Sequence, residues 1–213
     1  MGEHHDPTPD LAKPRFGQAD VERLEDECLQ QGFFRLERRR LRHRRFEGGW
    51  SPEIAREVHV RFDAVGVLLY DVERDAVVLV EQIRAGALDD AVSPWKLEPV
   101  AGLVKPGESP AEVARREAIE EANCPIDELI ELHRYYPSPG ACNEQVTLFC
   151  GLVDSSSLGG VHGLDEEHED IQVHVLPYLK AWELLDAGRL DNAMCLIAFH
   201  WLARERASLR ARR

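Results

Sequence analysis

Two glutamates four residues apart, Glu117 and Glu121, with Glu120 beside them, have the types and spacing that most directly suggest chemistry. On an α-helix that spacing puts both carboxylates on one face, with Glu120 alongside. Like charges so placed weaken a helix by about 0.2–0.5 kcal/mol per pair, so the arrangement wants an explanation. Ligands that are all oxygen suit a hard cation such as Mg²⁺, which keeps part of its water shell and links carboxylates to phosphate groups. The plainer alternative is a solvated acidic helix face, with Arg115 and Arg116 balancing the charge.

The elements that must position these acids are well marked. Ser109 followed by Glu112 forms a capping box, and Pro110 occupies the favoured first helical position. Val113, Ala114, Ala118 and Ala122 supply a narrow apolar stripe. Asn123 tolerates the left-handed conformation that ends a helix, and Pro125 prevents its continuation. A helix is therefore expected from Pro110 to about Ala122, preceded by a short extended piece over 97–100 that leads into Gly102.

Around this core the chain reads as a helix over 20–31 stopped by Gly32, then an arginine-loaded extended segment over 33–46. The latter ends at the Gly48-Gly49 turn and is followed by a strand over 54–62. Apolar runs over 65–70 and 76–83 flank Glu73-Arg74-Asp75 as a buried hairpin, and strands are expected over 129–136, 145–153 and 171–175. Residues 154–170 form a long loop that turns acidic, and helices follow over 179–187 and 191–206. Hairpins mixed with helices make the fold class α+β.

The chain has 213 residues, 44% hydrophobic and 31% charged, the composition of one globular domain with a full core. No apolar run reaches membrane-spanning length, and the opening residues do not have the pattern of a signal peptide. Five widely spaced cysteines without a Cys-x-x-Cys pair read as reduced thiols in a cytoplasmic protein. A net charge of −13 argues against nucleic acid or anionic membrane as partner. If the ligand is a phosphate ester, arginines or a divalent cation must bridge the two negative charges.

The full pattern is Gly102, five residues, Glu108, seven residues, Arg116-Glu117, then Glu120-Glu121. It closely resembles the Nudix box, spanning Gly102 to Cys124. Asn123 stands where that box usually has glycine, and Ala118 and Cys124 are small for its aliphatic positions. The resemblance implies an α/β/α sandwich with a mixed central sheet, plus an N-terminal antiparallel sheet. It also implies metal ligation by Glu117, Glu121 and the carbonyl of Ala101, with Glu120 in a supporting place. Gly102, Glu108 and Arg116 would be structural, the last two paired to hold the loop on the helix.

Further segments are similar to the ADP-ribose pyrophosphatase subfamily, over roughly residues 20–205. Tyr136-Pro137-Ser138-Pro139-Gly140 places Pro139 fifteen positions beyond Cys124, and 162–171 is similar to that subfamily's acidic catalytic loop. This implies Glu167 as general base and Glu169 as a further metal ligand. It also implies substrate contacts from Phe33, stacked on adenine, and from Arg56, Arg61, Arg84 and Ser138. The implied organisation is a poorly ordered segment 1–16, a dimerisation sheet with a helix over 17–62, and a hydrolase domain over 63–208. The implied activity is Mg²⁺-dependent hydrolysis of ADP-ribose to AMP and ribose 5-phosphate by a cytoplasmic homodimer. Two or three ions would serve each site, with Mn²⁺ as a possible substitute. A pyrophosphatase for another nucleotide sugar such as GDP-mannose, a non-catalytic nucleotide-sugar sensor and an acidic interaction protein stay open as alternatives.

Overall fold

The structure is a computed structural model that describes residues 11–212. It divides into two units, the first running to Arg61 and taking in Gly140–Asn143, the second holding Phe62–Pro139 and the chain from Glu144. The first ten residues of the segment expected to be poorly ordered lie outside the described residues; within the remainder, the Arg15 guanidinium donates to the Phe46 carbonyl at 2.9 Å.

The first unit carries a three-stranded antiparallel sheet of β1 (Val21–Gln31), β2 (Arg35–His43) and β3 (Ile54–Val60), with β2 in the middle. Here the expectation of a helix over 20–31 is corrected: those residues form β1. The acids that read as helix formers are the cross-strand partners of arginines in β2. Glu22 accepts from Arg42 at 2.6 Å, Glu25 from Arg40 at 2.7 Å and Glu27 from Arg38 at 3.0 Å. From the other side, Glu53 and Glu57 of the β3 arm accept from Arg40 and Arg38 at 2.5 and 3.3 Å. Each exposed pair contributes little alone, but opposite charges placed face to face fix which strands pair. Such long-range pairing is invisible to a helical window along the sequence. The Gly48-Gly49 turn forms as expected, both glycines having positive φ, 93° and 74°.

The second unit is built on β4 (Asp63–Asp71) and β5 (Ala76–Ile83), the expected hairpin. β6 (Trp95–Glu98) and β7 (Val100–Val104) follow, then helix α1 (Pro110–Ala122), β8 (Glu128–Tyr135) and β9 (Val146–Leu152). β10 (Gly160–His162), β11 (Ile171–Pro177) and helices α2 (Tyr178–Asp186) and α3 (Ala193–Arg210) complete it. The sheet order is β10-β11-β5-β4-β9-β8, with β6 on β5 and β7 on β4. It is mixed, because β4 and β9 run parallel while the other pairs are antiparallel. β4 pairs with β5 only over Leu69–Asp71, and its first half pairs with β7. The β6–β7 segment thus enters where the two hairpin strands diverge.

Apolar residues fill both faces of β4 and β5 because both are covered. Leu68, Tyr70, Val77 and Leu79 face α2 and α3, in one core with Leu185, Phe199 and Leu202. Val65, Val67, Val78 and Val80 face α1, in a second core with Val113, Ala114 and Ala118. This is the expected α/β/α sandwich. The α1-side core needs small helix residues, since alanines let the helix backbone lie close to the sheet.

Candidate metal and active site

Helix α1 begins as its sequence dictates. The Ser109 hydroxyl oxygen accepts from the Glu112 amide at 3.3 Å, and Glu112 accepts in return from the Ser109 amide at 3.2 Å. Asn123 ends the helix in the left-handed conformation, φ 48° and ψ 39°, so the departure from glycine keeps the cap geometry. Between these ends the apolar stripe seats the helix on the sheet, and Glu117 and Glu121 point back toward β7 and β5.

Glu121 is almost wholly buried, with only 3% of its surface exposed. The Ala101 amide of β7 donates to Oε2 at 3.1 Å, and the Gln82 carboxamide of β5 donates to Oε1 at 3.3 Å. Burial pushes the proton affinity of Glu121 up, to a pKa of about 8; the Ala101 and Gln82 hydrogen bonds and the Arg84 charge oppose that rise, and the Glu117 charge adds to it. Glu117 is raised to about 7, again chiefly by burial, with Arg116 opposing and the charges of Glu120, Glu169 and Glu167 reinforcing. The acidic loop therefore lies within electrostatic reach of the helix acids. A Cβ on Gly102 would overlap the Glu117 side chain, so glycine is the residue that lets β7 lie against this carboxylate.

Arg116, for which a pairing with Glu108 was expected, has its hydrogen-bonded partner on its own helix. Arg116 donates to Glu120, four residues on, at 2.8 Å and pairs with Glu117 at 3.0 Å. Glu108 precedes the helix and closes the turn before it, accepting from the Lys105 amide at 2.8 Å. Burial alone would lower the pKa of Arg116, but the charges of Glu117, Glu120 and Glu108 raise it. Glu120, expected as a supporting ligand, is held by Arg116.

The loop over 154–170 contains β10 and a single helical turn over Asp165–Glu167. Glu167 is exposed on that turn, and Glu169 is half-buried with its carboxylate accepting from the Leu164 amide at 3.1 Å. Gly163, φ 108°, passes so close to Glu169 that a Cβ there would stand 2.6 Å from the glutamate Cβ. His168, φ 56°, turns the chain between the two acids.

Arg84 donates to Glu98 of β6 at 2.6 Å on the same side of the sheet as Gln82, and Ser138 is exposed in the turn after β8. Phe33, Arg56 and Arg61 belong to the first unit. Phe33 is 79% exposed and packs edge-on against Phe34, at 4.7 Å between centroids. The Arg61 guanidinium lies over the Phe34 ring at 4.6 Å, and Asn143 brackets the Arg61 backbone with bonds of 2.7 and 3.0 Å. Arg56 is exposed and donates to the Ala55 carbonyl. Gln82 and Glu98 were missed in the sequence; a polar residue ending an otherwise apolar strand, as Gln82 does, was the available signal.

Among the described residues, no three acidic, histidine or cysteine side chains stand close enough to form a closed ligand set. What they do form is a pair of confined carboxylates beside a β7 peptide, with further acids on a facing loop. That donor set is all oxygen and half open. It fits a hard divalent cation that retains water and takes its remaining ligands from phosphate, better than one needing a complete protein cage. Burial has also raised the proton affinity of both helix acids, which a bound cation would offset.

Comparison with known proteins shows the family and the fold. Residues 60–195 match the NUDIX domain. An ADP-ribose pyrophosphatase of Escherichia coli (strain K12) is 44% identical over 194 residues, covering 91% of this chain and 93% of the relative. Its Haemophilus influenzae counterpart is 41% identical over 197 residues, 91% of each chain. A GDP-mannose pyrophosphatase of Enterobacter sp. (strain 638) is 30% identical, over 85% of this chain and 94% of that one. In fold, the crystal structure of an ADP compounds hydrolase superposes with a TM-score of 0.64 at 18% identity, covering 87% of this chain and 96% of the other. Among the described residues no helix is long and apolar enough to cross a membrane.

Proposed function

This chain belongs to the NUDIX family, and from that premise we propose that it hydrolyses the pyrophosphate bond of ADP-ribose, giving AMP and ribose 5-phosphate. The observation that carries the reading is the confinement of Glu117 and Glu121 on one face of α1, against a β7 strand whose Gly102 has no side chain to obstruct them. ADP-ribose is preferred to GDP-mannose as substrate because the ADP-ribose pyrophosphatases match at 41–44% identity and the GDP-mannose enzyme at 30%.

Divalent metal ions are the cofactor class of this family, and Mg²⁺, two or three per site, is the proposed occupant. Glu117, Glu121 and the Ala101 carbonyl would hold the ions on the helix side, with Glu169 from the loop. A divalent ion held by these residues would supply positive charge against the diphosphate and would lower the pKa of water at the site. Without it, each carboxylate about 4 Å from a phosphate oxygen would repel it by roughly 4 kcal/mol at an effective dielectric near 20. Glu167, exposed on its turn, would accept a proton from the attacking water, its carboxylate being free to solvent as a general base requires. Arg84 is held at the site's edge by Glu98 and offers a fork of donors to a phosphate, a role proposed also for Arg56 and Arg61. Phe33 offers an exposed ring for the base and Ser138 an exposed hydroxyl.

We further propose that the chain works as a homodimer through its N-terminal sheet, whose outer strand β1 is exposed along most of its length. A cytoplasmic location is proposed on the cysteines, none of which is in a disulfide among the described residues. Hydrolysis of ADP-ribose in heavy-oxygen water tests substrate and attack site together. AMP and ribose 5-phosphate, one of them labelled, are expected with Mg²⁺ and no turnover with chelator. Turnover of GDP-mannose in preference to ADP-ribose would replace the substrate, and turnover in chelator would remove the metal.

A further inference from the structure

Gln82 is 8% exposed near the end of a strand, Ala76–Ile83, that is otherwise apolar up to Glu81. It points to the α1 side, in line with Val78 and Val80 of the same core. Burial in such a place favours valine or leucine, since an amide without a partner there is destabilising. Its carboxamide donates to Glu121 Oε1, while the Ala101 amide donates to the other oxygen, Oε2. Each oxygen of the buried carboxylate is thus tied to a different strand, β5 and β7, and the plane of the carboxylate is fixed between them.

The chemical type of Gln82 matters as much as its position. A lysine or arginine at this point would also orient Glu121 but would cancel its charge. An apolar residue would leave the carboxylate free to turn. A neutral donor orients the anion and keeps its full charge available to a cation. We propose that Gln82 is a positioning residue of the metal site, holding the Glu121 carboxylate between β5 and β7 so that it meets a divalent cation in one orientation. This rests on the reading of Glu121 as a metal ligand. Ligand-orienting partners of this kind typically contribute 10–100-fold to metal affinity.

The test is Gln82→Met, which keeps the size and suits the apolar strand, with Gln82→Leu as a second variant. Mn²⁺ binding to the full chain is measured by electron paramagnetic resonance without substrate, beside Mg²⁺ activation curves and melting in chelator. The expected result is a roughly 10-fold weaker Mn²⁺ affinity and a matching rise in the Mg²⁺ concentration for half-activation. kcat at saturating Mg²⁺ should fall less than the affinity, and metal-free melting should fall only slightly, since Glu121 keeps the Ala101 amide as a donor. Unchanged Mn²⁺ affinity in both variants, with the unsubstituted protein binding normally, would overturn the role of Gln82 alone. A drop confined to metal-free melting would make Gln82 merely structural and overturn it equally. Failure of the unsubstituted protein to bind Mn²⁺ would overturn the metal site itself, and the Gln82 role with it.

Discussion

Replacing Glu121 by glutamine should make the metal-free protein more stable and the enzyme nearly inactive. Glu121 has a pKa of about 8 in the fold against 4.5 for the free side chain, chiefly because the fold buries it, with the Glu117 charge adding to the rise. A group whose folded pKa is raised leaves stability intact below its unfolded pKa and removes it as pH climbs toward the folded one. The loss therefore starts near pH 4.5, reaches about 3 kcal/mol at pH 7 and levels off near 5 kcal/mol above pH 8. Glutamine keeps an oxygen for the Ala101 amide, and Gln82 can turn its carboxamide over to face the new donor. The penalty goes and the packing stays. For a chain of this size about 3 kcal/mol corresponds to a melting rise on the order of 6–12 °C. The assay is thermal melting in chelator at pH 5, 7 and 9. Wild type and variant should coincide at pH 5 and separate progressively above it, while ADP-ribose turnover with Mg²⁺ falls by orders of magnitude. A variant melting at or below wild type at pH 9, or one retaining its rate, refutes the argument that this carboxylate is confined for a cation.

Gly102→Ala places a methyl group in the Glu117 side chain. We expect a loss of about 1–3 kcal/mol in melting experiments together with weakened Mg²⁺ activation, because the clash is with the proposed ligand itself. Glu167→Gln should leave Mn²⁺ affinity close to wild type and reduce turnover strongly; a wild-type rate would take Glu167 out of the base role. Asp71 tests the frame away from the site. Burial would raise its pKa, but hydrogen bonds from the backbone and side chains of Arg74 and Ser155 outweigh that and hold it at about 2. Its stabilisation is present above pH 3.8 and lost as pH falls toward 2, about 2 kcal/mol in all. Asp71→Asn should therefore flatten the acid limb of the stability curve between pH 4 and 2 and lower melting at pH 7.

What was legible in the sequence depended on the range of the interactions. The start and end of α1 are set by Ser109, Pro110, Glu112 and Asn123 acting on neighbours within a turn, and both ends fall where the sequence places them. The buried hairpin was legible because both faces of β4 and β5 are apolar. β1 was not, since Glu22, Glu25 and Glu27 acquire their meaning only from Arg42, Arg40 and Arg38 on another strand. The same limit hid Gln82, whose partner lies 39 residues away.

The helix acids and the frame around them obey opposite rules. Asp71 is buried and sits far below its ordinary pKa, because four donors from Arg74 and Ser155 surround it. Glu121 exposes equally little surface but lies deeper, and sits far above its own, because its two neutral donors and the Arg84 charge leave most of the burial uncompensated and Glu117 adds a like charge. A fold able to satisfy one buried carboxylate so completely could satisfy another; a basic residue at position 82 would suffice. That β5 instead presents a neutral amide, and β7 a glycine, leaves the two helix acids under-compensated in the protein alone. A binding partner that supplies positive charge at that point is the condition under which the arrangement becomes favourable, and a cation carrying a diphosphate meets it.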